Sequence, residues 1–353
     1  MNQIAAPAKF AVDPFKLHIV GTVLLTSIAA IEASHLARAG RPVTMALGIT
    51  LLTPIAEDIK QLAVSCFASA GNYESAEALL TPEFVKQFSS IEPQLARAVA
   101  AAGYFADRLI GGGETPVVAT AVGSASVAAV ASLSGLVGRL QRASVSQQIL
   151  VENSAGPAGR QFTIYLPGTQ DWAPVGSTKA FDLASDLAAF ARPGVSAPER
   201  AAVQALSAKG FGTKPGDSLT LVGYSEGGIV GANLIASGAV THLGGRVSGL
   251  VAVASPISAA QLPADTKVIS LEHTDDLVPK LDLAEHKNTA NWTTVKLNPS
   301  GLDTHYLHSY QESLSQLSPS EHSKLNEALA NMRGGRLSGS AARTSFEAVR
   351  VKN

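Results

Sequence analysis

The sequence predicts an α/β protein, a mostly parallel sheet with helices on both faces, preceded by an α-helical region. Three observations lead there. Short β-branched runs alternate with helix-length segments after about residue 140. A Gly-x-Ser-x-Gly motif stands between one such run and the helix that follows it. The earlier residues carry a helical rather than a strand period.

The first part, residues 1–140, reads as an N-terminal helical region serving as a lid, a packing element or an interaction module. Apolar residues recur at i, i+3 and i+4 over Ile55–Ala70, Glu74–Leu80, Glu83–Phe88 and Pro93–Leu109. Thr53-Pro54, Thr81-Pro82 and Glu92-Pro93 suit helix starts, where the missing N–H of proline is no loss. No strand-type alternation is read before Val145. The uncharged Thr115–Gly138 is rich in Ala, Gly, Ser and Val, which transfer weakly into lipid, so it is expected as a buried small-residue helix. Leu17–Ile31 is short for a membrane span, which needs about 20 residues. Asp13 and Pro14 ahead of it, and the poor cleavage site at Ala29–Ala33, argue against a signal peptide.

The second part, residues 141–353, reads as the catalytic domain. Val145–Glu152 and Gln161–Leu166 are expected strands around a turn at Asn153–Gly159. Leu219–Val222, Leu250–Ala254, Val268–Leu271 and Trp292–Leu297 follow as strands. Helices are expected at Thr178–Ala191, Pro198–Lys209, Glu226–Ser237, Tyr306–Leu317 and Pro319–Met332, with Ser345–Val351 as an edge strand. In such a sheet the chemistry sits at the C-terminal ends of the parallel strands.

Composition removes several classes of function. The chain has 353 residues, 46% of them hydrophobic and 16% charged, so it is not a disordered polyelectrolyte. Its net charge of −1, with no Lys/Arg cluster, gives no phosphate-binding surface, and no nucleic-acid partner is expected. Cys66 is the only cysteine, which excludes an intrachain disulfide. Gly111–Gly113 lacks the Lys-Ser/Thr and the preceding strand of a nucleotide loop. Asp303, His305 and His308 have no further strong ligand beside them. No metal and no organic cofactor is expected.

The chemistry centres on Gly223-Tyr224-Ser225-Glu226-Gly227. A serine at a tight strand-to-helix turn has a strained backbone that lifts its hydroxyl above the sheet. Small neighbours let strand and helix approach, and the helix N-terminus favours developing negative charge. A serine hydroxyl needs a base and an orienting carboxylate, which follow in the order Ser, Asp or Glu, then His. Asp275 and Asp276 lie just past the strand Val268–Leu271, and His305 and His308 lie past Trp292–Leu297. The Glu226 N–H is one expected oxyanion donor, and the turn Pro167–Gln170 supplies the other.

These phrases resemble the serine hydrolases of the α/β-hydrolase fold. Pro167–Trp172, Phe181–Ser185 and Asn291–Val295 are similar to actinobacterial lipase- or esterase-like proteins with a helical N-terminal region. Thr274–Pro279 is also similar to the acid turn of fungal class-3 lipases. The likeness covers residues 145–315 well and the first 140 loosely. It implies Asp276 as the acid before x-Val-Pro, with Asp275 as the alternative. It likewise implies His305 as the base over His308, and Thr169 as the second oxyanion donor with Gln170 in reserve. The pattern departs at Tyr224 and Glu226, where His and Gln are usual, and Glu226 sets a carboxylate beside the nucleophile. Tyr104–Asp107 is similar to small secreted helical-hairpin proteins, which implies export by a specialised route or a place at the cell envelope.

The resulting expectation is a carboxylic ester hydrolase, an esterase or lipase, with Ser225, His305 and Asp276 as its triad. Its substrate is a small-molecule or lipid ester, and the N-terminal region suits peripheral contact with lipid. Two alternatives stay open: acyl transfer to a cell-envelope acceptor, which shares the acyl-enzyme, and a non-catalytic binding protein on the same scaffold.

Overall fold

The computed structural model describes residues 116–351, apart from 157, 172–176, 192–195, 277, 281, 283 and 299–303. The elements run β1 (Val117–Ala128), α1 (Leu133–Ser146), β2 (Ile149–Gly156), β3 (Gly159–Leu166), α2 (Leu183–Ala191), α3 (Ala197–Ala208) and β4 (Ser218–Tyr224). Then come α4 (Glu226–Ala236), β5 (Arg246–Val253), β6 (Lys267–His273), β7 (Trp292–Leu297), α5 (Leu307–Ser315), α6 (Pro319–Arg333) and β8 (Ser340–Arg350). Among the described residues there is one sheet of eight strands, in the order β1-β8-β2-β3-β4-β5-β6-β7. From β3 to β7 each pair is parallel, and β1, β8, β2 and β3 are joined antiparallel.

The parallel strands read as continuous apolar runs because both faces of the sheet are covered. Their period of two sends alternate side chains to opposite layers. Ile164, Leu221 and Leu250 pack with Ala201, Ala205, Val230 and Leu234 of α3 and α4. Tyr165, Val222 and Val251 face Leu136, Leu140, Tyr310 and Leu329 of α1, α5 and α6. The helices start where their sequences prescribe. Ser196 with Glu199 and Ser318 with Glu321 form capping boxes, each with proline in the first turn.

Several expectations need correction. Thr115–Gly138 is not a buried small-residue helix. Val117–Ala128 is an extended strand paired with β8 from Val117↔Arg350 to Ala128↔Ser340, and only the last part of the segment enters α1. Val, Thr, Ser and Gly are weak helix formers, and pairing with a strand from the far end of the chain decides the matter. Val145 and Ser146 complete α1 rather than opening a strand, and Gln147, at φ 54°, turns the chain into β2. The terminal strand begins at Ser340 and lies inside the sheet between β1 and β2, so β1, not β8, is the edge strand on that side. The outer side of β1 is tied at one end by Gln204 of α3, which accepts from the Ala119 N–H at 2.9 Å and donates to the Val117 carbonyl at 2.9 Å.

A division at 140/141 would therefore cut α1, and the sheet domain already includes Val117. The helices expected before residue 110, the segments Leu17–Ile31 and Tyr104–Asp107, and Trp172 lie outside the described residues. No described helix is long and apolar enough to cross a membrane.

Candidate active site

Four strand ends converge on one place. The turns after β3, β4, β6 and β7 carry Thr169, Ser225, Asp276 and His305 respectively. Because β3 to β7 are parallel, all four open at the same edge of the sheet.

Ser225 occupies the single position between β4 and α4, with φ 52° and ψ −118°. For a residue with a Cβ this backbone costs about 1–3 kcal/mol, and the surroundings must enforce it. They do so in two ways. The Ser225 N–H donates to the Val253 carbonyl at the end of β5, at 2.9 Å. Gly227 then lets α4 begin directly against β3, because a Cβ there would run into the Leu166 and Pro167 carbonyl oxygens. Gly168 serves from the other side. A side chain there would press on the Tyr224 ring, and its Cβ would lie 3.3 Å from that of Ser225.

His305 joins serine and acid. Its Nε2 lies 3.2 Å from Ser225 Oγ, and its Nδ1 lies 2.8 Å from Asp276 Oδ2. The tautomer with hydrogen on Nδ1 donates to Asp276 and leaves Nε2 free to accept the serine proton. Asp276 and His305 are each 1% exposed and Ser225 is 7% exposed. Asp276 is held at both oxygens: Oδ1 accepts from the Val278 N–H at 3.0 Å, and Oδ2 accepts from the Tyr310 hydroxyl at 2.9 Å. The Tyr224 hydroxyl donates to the His305 carbonyl at 3.0 Å, which fixes the loop that carries the imidazole.

The other candidates fall elsewhere. Asp275 is exposed. His308 is also exposed, with its ring 5.6 Å from that of Tyr306. His273 is buried and stacked on Tyr310 at 3.7 Å; its ring nitrogens meet the Thr304 carbonyl and the Ser313 hydroxyl, and burial holds its pKa down. No group of acidic, His or Cys side chains suited to a metal ion occurs among the described residues.

On the oxyanion side, Glu226 is the first residue of α4, so its N–H has no acceptor within the helix. The Gln170 N–H, the alternative donor of the β3 turn, already donates to the Phe181 carbonyl at 2.9 Å. The Glu226 side chain turns inward, is 0% exposed, and has the Thr169 hydroxyl as a hydrogen-bonding neighbour. Burial, followed by the nearby Asp186 and Asp182, raises its pKa well above the usual carboxylate range. Asp186, in the first turn of α2, is pushed by burial up to about 7.

Sequence reasoning did not find Tyr310 or Asp186, and it read Glu226 only through its N–H and its unusual charge. Tyr310 is a lone aromatic on an amphipathic helix, and Asp186 resembles any acidic residue in a first helical turn. Neither spacing nor motif marks them.

Residues 202–332 match the PGAP1-like alpha/beta domain family. That domain is of the α/β-hydrolase type, and the matched segment runs from α3 to α6 and includes Ser225, Asp276 and His305. No curated protein and no solved structure matches the chain. The fold is thus that of the α/β hydrolases, while the likeness to actinobacterial lipase-like proteins rests on the sequence phrases alone.

Proposed function

We propose that the protein cleaves carboxylic esters through a covalent acyl-serine. The observation that carries this reading is the hydrogen-bonded line from Ser225 Oγ through His305 to Asp276, set on a strained turn at the end of β4. His305 Nε2 takes the hydroxyl proton as Oγ attacks the ester carbonyl. Asp276 holds the imidazole in the competent tautomer and stabilises its cation without itself accepting the proton.

The N–H groups of Glu226 and Thr169 receive the developing oxyanion. In comparable sites one such donor is worth about 3–4 kcal/mol. His305 then protonates the leaving alcohol, and a water molecule, deprotonated by the same ring, releases the acid. The substrate is a small-molecule or lipid ester. The chemistry calls on no cofactor, since nucleophile, base and oxyanion donors all come from the chain.

The test is turnover of p-nitrophenyl esters of graded acyl length by wild type, Ser225→Ala, His305→Ala and His308→Ala. Loss of activity in the first two variants, with His308→Ala near wild type, is the expected result. Undiminished turnover in Ser225→Ala overturns the proposal.

A further inference from the structure

Beside the nucleophile lies a carboxyl cluster that the reaction described above leaves unused. The Glu226 side chain, wholly buried, and Asp186 of α2 approach the Thr169 hydroxyl from two elements. Thr169 Oγ1 lies 3.4 Å from Asp186 Oδ2 and also faces Glu226. The Thr169 hydroxyl is within hydrogen-bonding reach of the Glu226 carboxyl, and Asp186 Oδ1 is buried with no partner among the described residues. Two carboxyl groups thus compete for a hydroxyl that has one hydrogen to give.

We infer that Glu226 and Asp186 are positioning residues that share one proton across the Thr169 hydroxyl and so hold the Thr169 turn against Ser225. This rests on the ester-cleaving reading and adds to it a dependence of the oxyanion donor on the protonation of the pair. In the shared state Glu226 is the acid: its O–H donates to Thr169 Oγ1, and the Thr169 O–H donates in turn to Asp186 Oδ2. Donors and acceptors then match, and the Thr169 N–H stays beside the nucleophile. When the proton leaves to solvent, two carboxylates face one hydroxyl hydrogen. One of them must turn away, and the Thr169 turn moves with it.

The surrounding charges support this arrangement. Asp182 adds negative potential to both carboxyls, although its own charge is met by Arg350 through hydrogen bonds of 2.9 and 3.0 Å. The cation that His305 becomes on taking the serine proton favours the ionised form of Asp186. Arg350 acts on Glu226 more weakly than the two aspartates do. The two aspartates beside Glu226 therefore favour keeping the shared proton on Glu226. A glutamine at 226 reproduces the neutral acid permanently, because its amide can donate where the acid O–H does.

The experiment is the pH profile of kcat/KM for wild type, Glu226→Gln and Asp186→Asn, with Ser225→Ala as the control for serine-dependent turnover. Infrared spectra of wild type and Glu226→Gln accompany it, read at the protonated-carboxyl carbonyl stretch. Wild type is expected to lose activity on an alkaline limb at or above about pH 7. In Glu226→Gln that limb moves upward by about one pH unit or more. A protonated-carboxyl band present in wild type at neutral pH disappears in the variant. Superimposable alkaline limbs in all three proteins, or an infrared band indifferent to Glu226→Gln, overturn the inference while leaving the hydrolase reading intact. If wild type shows no turnover beyond the Ser225→Ala control, the hydrolase reading fails instead, and the infrared band alone decides whether the pair shares a proton.

Discussion

Tyr310 donates its hydroxyl to Asp276 Oδ2, the same oxygen that receives His305 Nδ1–H. One carboxylate oxygen thus links an α5 side chain to the imidazole, and the Tyr310 oxygen also accepts the His273 N–H at 2.9 Å. Burial and the neighbouring Asp276 raise the Tyr310 pKa well above its ordinary value, so it remains a donor throughout the working range.

Tyr310→Phe removes this donor and keeps the ring against His273. A hydrogen bond to a charged group contributes about 1.5–3 kcal/mol. The expected outcome is a fall in kcat of about tenfold or more with KM little changed, read by steady-state kinetics. A change confined to KM contradicts the role given to Tyr310.

Ser225 carries backbone strain that glycine would relieve. Ser225→Gly is expected to abolish ester turnover while raising thermal stability, by about 1 kcal/mol or a few degrees in Tm. A scanning melt measures it. A lower Tm in the glycine variant would show that the φ of 52° costs nothing.

Gly227 sets the distance between α4 and the end of β3. Gly227→Ala places a methyl group against two backbone carbonyls that have little freedom to yield. The expected result is a stability loss of about 1–3 kcal/mol, together with a kcat lower by about a hundredfold as the oxyanion donors separate. Wild-type activity in this variant would mean that the β3 turn lies farther from Ser225 than described.

Glu226 also links stability to pH. Burial raises its carboxyl above its unfolded value, so the folded protein keeps a proton that the unfolded chain releases. The associated stability is complete below about pH 4 and is lost as pH rises toward the folded value. Glu226→Gln has no such proton. Its Tm advantage over wild type should be small at about pH 4 and grow to several degrees at about pH 8. A gap independent of pH contradicts the assignment.

The sheet and the main line of the site were legible where local chemistry and position coincide. Ser225 stands between an apolar run and a helix, and Asp276 and His305 follow strand ends in the required order, so motif and topology reinforce each other. β1 was illegible because Val117–Ala128 consists of small, uncharged residues whose state is decided by pairing with residues more than two hundred positions away. Tyr310 and Asp186 escaped for a related reason. Each acts through a tertiary contact, with Asp276 and with Thr169, that no local period records. Glu226 was visible as a departure in charge beside the nucleophile, but its inward course follows only from how α2 and β3 pack on α4.

The central claim, that Ser225 is a nucleophile activated by His305, is tested most directly by mass spectrometry after reaction with a fluorophosphonate. The expected result is one adduct per chain, mapped to Ser225, absent in Ser225→Ala and strongly slowed in His305→Ala but not in His308→Ala. An adduct on another residue, or equal labelling of wild type and Ser225→Ala, would contradict it.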